Sequence, residues 1–212
     1  MASDPHPDAR VSAACDLDVS VHGATLEWLR IEDDGGASFR HAGAQSERAG
    51  EAPITLEPLT PDDEPFMFAV YSSTRTDELA LTGWPASMQE HFLRMQFAAQ
   101  TYSYRMQFPD AQYSVIHCNG AAAGRLIVNR TDEEIHVVDI AVITEHRGNK
   151  IGSRLMGRLL EEAKQAGKTV RLHVERVNPA LRWYERLGFK PVSATDIYLE
   201  MVYRPNITGA AE

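Results

Sequence analysis

The sequence predicts an α/β (α+β) domain built on a mixed, mostly antiparallel sheet of six to seven strands flanked by about four helices. Three observations predict it. Two strand-like runs meet at Asn119-Gly120, a dipeptide suited to a tight hairpin, so part of the sheet is antiparallel. Further along, segments of helical period alternate with strands, and such β-α-β crossovers need parallel neighbours. Finally, 212 residues with 43% hydrophobic and 24% charged content fit one core plus an appendage.

Residues 1–52 are rich in Ala, Gly, Ser and Asp without helical period. They read as an acidic irregular leader, with a short candidate hairpin strand over 25–31. The texture changes at Ile54, where residues 54–59 alternate like a strand. Thr60-Pro61-Asp62-Asp63-Glu64 then starts a helix: a capping hydroxyl, a first-turn proline and acids at the positive helix end. That helix continues through 66–71, residues 72–86 form a loop, and a second helix runs from about 87 to 107. Strands follow over 111–118, 124–128 and 134–143. Ile151, Leu155, Leu159 and Ala163 recur every four residues up to a Gly167 stop, which marks a helix. Val170, Leu172 and Val174 alternate as a strand. Asn178-Pro179 caps and opens a helix that Gly188 ends, and Ile197, Leu199 and Met201 form a last strand. The domain spans 53–205, with a tail over 206–212.

The net charge is −9, and the leader carries most of it: ten acids against four arginines within 1–52 give −6, leaving −3 for the rest. Neither part offers the basic footprint of sequence-independent nucleic-acid binding. No run approaches the ~18 apolar residues of a spanning helix, and the N-terminus lacks the pattern of a secretory signal. Cys15 and Cys118 are the only cysteines, which disfavours a disulfide framework and a structural metal. The expected address is the cytoplasm, without membrane, nucleic acid or metal.

Two segments bear chemistry. From Asp139 to Ser153 a strand runs through His146-Arg147-Gly148-Asn149-Lys150 straight into a helix, a layout that gathers backbone N–H groups into an anion site. Neither a Gly-Lys-Ser/Thr loop nor G-x-G-x-x-G is present. Downstream stands Asn178-Pro179-Ala180-Leu181-Arg182-Trp183-Tyr184-Glu185-Arg186-Leu187-Gly188-Phe189. Together these resemble the GNAT superfamily of acyl-CoA-dependent N-acetyltransferases. Its loop, R/Q-x-x-G-x-G/A, is met at Arg147 and Gly152. Its later signature, N-x-x-A-x-x-x-Y-x-x-x-G-F, is met at Ala180, Tyr184, Gly188 and Phe189, with Asn178 one residue closer than the pattern asks. The departure is Lys150 at the loop's first glycine. A left-handed backbone there would strain a lysine by ~1–2 kcal/mol, and a helical first turn, with the ammonium assisting a phosphate, is the expectation.

The resemblance implies a GNAT-like sheet with two strands splayed at the cofactor site, and acetyl-CoA as acyl donor. The backbone of Ile140, Ala141 and Val142 is expected to pair with the pantetheine arm. Gly148, Asn149, Lys150, Ile151, Gly152 and Ser153, with Arg147, are expected to hold the pyrophosphate, with Asn178 and Tyr184 also beside the cofactor. Tyr184 is the expected general acid for the departing thiolate, and a backbone N–H near Val142 would stabilise the developing oxyanion by ~3 kcal/mol. Asp139 and Glu175 are candidate bases, and His173 shares a strand face with Glu175. A carboxylate in the apolar run Val137-Val138-Asp139-Ile140 is costly unless paired, so Asp139 is either a salt bridge or a site group. The acceptor pocket falls to the first two helices and their loop, here Tyr71, Arg75, Glu78, Trp84 and the aromatic residues of the second helix such as Phe92. Glu78 and Asp77 are acids that would suit a cationic amine, whereas Tyr102 and Tyr104 read as core. The implied activity is transfer of an acetyl group to a primary amine, with a small-molecule acceptor favoured by the long 72–86 loop; homodimerisation is left open. The alternatives are a non-catalytic acyl-CoA-binding or partner-binding domain, and a protein N-terminal or lysine acetyltransferase.

Overall fold

The computed structural model describes residues 52–206; the expected leader hairpin and most of the tail lie outside them. One sheet of seven strands runs in the order β1-β2-β3-β4-β5-β7-β6. Its strands are β1 (Ile54–Pro58), β2 (Gln112–Cys118), β3 (Ala121–Arg130), β4 (Glu134–Val142), β5 (Thr169–Glu175), β6 (Lys190–Ala194) and β7 (Tyr198–Tyr203). Every neighbouring pair is antiparallel except β4–β5. The helices are α1 (Glu64–Ser73), α2 (Thr76–Ala80), α3 (Ala86–Gln107), α4 (Ile151–Ala166) and α5 (Leu181–Arg186). This is the mixed, mostly antiparallel sheet that the sequence predicts.

Several elements differ from expectation. The stretch 72–86 is not all loop, because α2 occupies its middle. Strand β6 is additional: all five of its residues are exposed and it includes Pro191, so no alternation marks it, and it exists only as an edge partner of β7. Ile197 lies exposed before β7 rather than inside it. Helix α5 begins at Leu181, and Asn178 instead closes a turn ahead of it, its Oδ1 accepting the Ala180 N–H at 2.8 Å.

Local chemistry explains the remaining elements. Asn119 and Gly120 both take positive φ (54° and 77°), which a two-residue hairpin matching the strand twist requires. Helix α4 buries Ile151, Leu155, Met156, Leu159 and Ala163 against the sheet. It ends at Gly167 (φ 67°), after which the Lys168 N–H donates back to the Ala163 carbonyl at 2.9 Å.

One irregularity sorts the residues of the site. Between the pairs Val128↔Val137 and Ile127↔Asp139, β4 carries one extra residue, Val138. This bulge keeps Ile135, Val137, Ile140 and Val142 in the larger apolar core, which includes α4. Asp139 and Ala141 turn to the other face, where Ala141 packs with Met67, Val70 and Val115. Gly124, paired with Val142, admits no side chain: a Cβ there would lie 2.1 Å from the Ala141 carbonyl oxygen.

Candidate active site

The two parallel strands part company. Pairing between β4 and β5 runs from Glu134↔Thr169 to Val137↔Leu172 and stops, although β4 continues to Val142 and β5 to Glu175. Ile140, Ala141 and Val142 therefore border β5 along a stretch where the two strands do not pair. At the end of β4, a turn over Thr144–His146 leads into the loop and α4.

Gly148 (φ 77°) and Lys150 (φ 56°, ψ 18°) both adopt the left-handed conformation. The expectation that Lys150 sits in a helical first turn is thus corrected: it is the residue before the helix, in a conformation costing a side-chain-bearing residue about 1–2 kcal/mol. That turn points α4 back at the loop. The first intrahelical bond runs from the Arg154 N–H to the Lys150 carbonyl at 2.9 Å, so the N–H groups of Ile151, Gly152 and Ser153 face out of the helix end. Gly148, Asn149 and Lys150 are exposed, and Asn149 Nδ2 donates to the His146 carbonyl at 3.2 Å. Arg147 turns inward: its guanidinium donates to the carbonyls of Val142 (3.2 Å) and Ser73 (3.4 Å), bracing loop and β4 against the end of α1. An unpaired strand edge beside such an array of donors fits an extended amide-bearing chain ending in phosphates.

The face of the sheet that carries Asp139 is polar. Asp139 Oδ2 lies 2.5 Å from Nε of the equally buried Arg125, and Arg125 Nη2 donates to Gln100 Oε1 at 2.9 Å. Burial raises the Asp139 carboxyl above its usual value, with Arg125 and an N–H from Ile140 acting in opposition. Tyr104 on α3 is raised further, by burial and then by the charge of Asp139. Its neighbour Tyr102 is exposed, so neither tyrosine joins the apolar core as expected. Glu175 is buried on β5 facing Tyr198, whose phenol is raised by its own burial and by that carboxylate. Flanking the last paired rung, His136 Nε2 on β4 and His173 Nδ1 on β5 stand 3.3 Å apart. Burial pushes His136 down to about 4 and lowers His173 as well.

Tyr184 is buried on α5 with its ring against Trp183 (4.8 Å) and Phe189 (5.7 Å). Burial, and secondarily the charge of Asp139, push its phenol well above the ordinary tyrosine value, so it keeps its proton. Tyr184 belongs to the α4-side core and Asp139 to the opposite face.

The profile of the acetyltransferase (GNAT) family matches residues 75–189. The chain belongs to this family. No curated protein matches the sequence. Solved structures give the same fold at low identity. PaiA N-acetyltransferase from Thermoplasma acidophilum, in complex with coenzyme A, is 16% identical, with a TM-score of 0.53 over 72% of this chain and 99% of that one. The ribosomal-protein-S18-alanine N-acetyltransferase from Escherichia coli is 22% identical, with a TM-score of 0.51 over 74% and 97% of the two chains. PH1933 from Pyrococcus horikoshii OT3 is 20% identical, with a TM-score of 0.53 over 73% and 100%.

On the other side of this GNAT domain, Tyr71, Arg75 and Trp84 line one pocket together with Glu78, Leu79, Thr82, Phe92 and Leu93. The structure thus brings together these residues expected to meet the acceptor. Arg75 is buried, with its guanidinium 5.2 Å from the centre of the Tyr71 ring and 3.9 Å from Glu78. Sequence reasoning missed Arg125 and Gln100, whereas Phe92 falls among the second-helix aromatics expected at the acceptor pocket. Arg125 carried a usable signal, a lone arginine in the strand-like run Ala121-Ala122-Ala123-Gly124-Arg125-Leu126-Ile127-Val128. Among the described residues, no group of three or more His, Cys, Asp or Glu is placed to hold a metal, and no helix is long and apolar enough to cross a membrane.

Proposed function

We propose that this GNAT protein transfers an acetyl group from acetyl-CoA to the primary amine of a small molecule, by direct attack while both substrates are bound. The observation that carries the proposal is the end of β4–β5 pairing at Val137↔Leu172, directly before the loop that aims the first N–H groups of α4 outward. Acetyl-CoA supplies an activated thioester carbonyl. The β4 edge at Ile140, Ala141 and Val142 orients the donor's arm. The N–H groups over 148–153 hold its phosphates, with Arg147 bracing the loop and Lys150 adding charge at its mouth.

Two buried carboxylates, Asp139 and Glu175, sit on the strands that bound the gap and take up the proton released by the incoming ammonium. Arg125 opposes the upward push that burial gives the Asp139 carboxyl. Tyr184, protonated across the working pH range, returns a proton to the leaving sulfur. Asn178 holds the turn before α5 and so sets where Tyr184 stands. A backbone N–H near Val142 meets the oxygen on which charge develops. The pocket lined in part by α2 favours a small acceptor over a protein one. The expected localisation remains the cytoplasm.

Thermal unfolding with acetyl-CoA at about 100 times its Kd should show ~2.7 kcal/mol of added stability, and amines should then release CoA thiol. Stabilisation without thiol release from any amine or peptide would leave a binding domain that performs no transfer. Absence of stabilisation would remove the proposal.

A further inference from the structure

Given the acceptor site just proposed, we infer that it selects a primary amine carrying a single aromatic ring, and that the ring packs into the corner formed by Trp84 and Phe92. The pocket beside Tyr71 measures about 160 Å³. A dry cavity of about 150 Å³ accommodates benzene, so the space suits one six-membered ring rather than a sugar cluster or a folded peptide. Its walls are largely apolar: Leu79, Leu93, Phe92 and Trp84, with the buried Tyr71 beside them. Trp84 and Phe92 meet edge to face at 5.5 Å, the arrangement that a third ring extends most readily.

The polar groups of the pocket are committed. The Thr82 hydroxyl donates to the Leu79 carbonyl at 2.7 Å and accepts the Trp84 N–H at 3.2 Å. Among the described residues Glu78 is the acid lining the pocket, and Arg75 faces it at 3.9 Å. A polyamine needs several acids to replace the water around its charges, and these residues do not supply them. An aromatic ring needs only apolar contact and π-edges, which the pocket supplies.

The alkyl arm then points along Tyr71 toward the end of α1. The bond from Arg147 to the Ser73 carbonyl ties that end of α1 to β4, where the strands part. A ring in the Trp84–Phe92 corner thereby leaves a short alkyl arm reaching toward the reacting carbonyl.

The test uses the full-length protein and two readouts. Calorimetric titration with 2-phenylethylamine and with butylamine measures binding of the ring itself. CoA-thiol release with acetyl-CoA and the same two amines, plus spermidine and an alanyl peptide, measures selection. The inference expects 2-phenylethylamine to bind at least tenfold tighter than butylamine and to give the highest kcat/KM of the four. Trp84→Ala and Phe92→Leu should each raise the KM for 2-phenylethylamine at least tenfold, and by a factor at least three times that for butylamine. Unchanged melting temperatures certify that the variants fold, and Phe92→Leu, which preserves bulk, covers a failure of Trp84→Ala. Higher kcat/KM with spermidine or the peptide overturns the inference but leaves acetyl transfer standing. Binding of 2-phenylethylamine no tighter than that of butylamine overturns it too. Ring-dependent binding without thiol release upholds the pocket's selectivity and sinks the proposed transfer instead.

Discussion

Arg125 on β3 and Asp139 on β4 form a buried ion pair, Nε to Oδ2 at 2.5 Å, directly beneath the helices that frame the candidate acceptor pocket. Asp139 reaches this face because of the extra residue Val138 in β4. Without the bulge it would point into the α4-side core, away from Arg125.

This pair predicts a non-additive response. Arg125→Met leaves a buried carboxylate without its guanidinium and should cost about 3–5 kcal/mol, whereas Arg125→Met combined with Asp139→Leu should recover most of that loss. Urea unfolding of the two single variants and the double variant measures it. Single-variant losses below about 1 kcal/mol would mean that the pair does not form.

Replacing Tyr184 by Phe removes a hydroxyl while keeping the ring against Trp183 and Phe189. Turnover should fall by about 100-fold, the usual worth of a positioned proton donor, with acetyl-CoA affinity within threefold of wild type. Steady-state kinetics and calorimetry separate the two effects. Because the phenol is raised above the ordinary range, the wild-type rate should not fall through tyrosine ionisation below about pH 10.

Lys150→Gly should stabilise the fold. Relief of the left-handed strain contributes about 1–2 kcal/mol, and the greater chain entropy of glycine takes back about 0.5–1. A rise of a few degrees in melting temperature is expected. A fall would show that contacts of the lysine side chain outweigh the backbone strain. Acetyl-CoA affinity should drop modestly as a positive charge leaves the loop proposed to hold its phosphates.

The histidine pair predicts how stability responds to acid. The folded value of about 4 for His136 lies below the ordinary 6.5, so between those values the unfolded chain binds the extra proton. Stability from this group is therefore intact above about pH 6.5 and declines as pH falls toward 4, by on the order of 3 kcal/mol. His173, also lowered, acts in the same direction. His136→Gln should flatten unfolding free energy measured across this range, and an unchanged slope would assign the acid sensitivity to other groups.

The sequence by itself determined the elements whose causes are local. Asn119-Gly120 specified the hairpin, the four-residue recurrence from Ile151 to Ala163 specified α4, and Gly167 its end. The loop and the run from Ala180 to Phe189 were legible as a family resemblance, because close backbone approach and tight turns restrict residue type position by position. Tertiary structure alone decided the rest. The conformation of Lys150 is imposed by how β4 delivers the chain to α4, and nothing in the side chain announces it. The exposed residues of β6 become a strand only because β7 offers them an edge. Which face Asp139 takes, and so its pairing with the distant Arg125, is decided only by the bulge at Val138, and the gap between residues 140–142 and β5 only by the parting of β4 from β5. Those features depend on long-range pairing energies, to which no local pattern of residues corresponds.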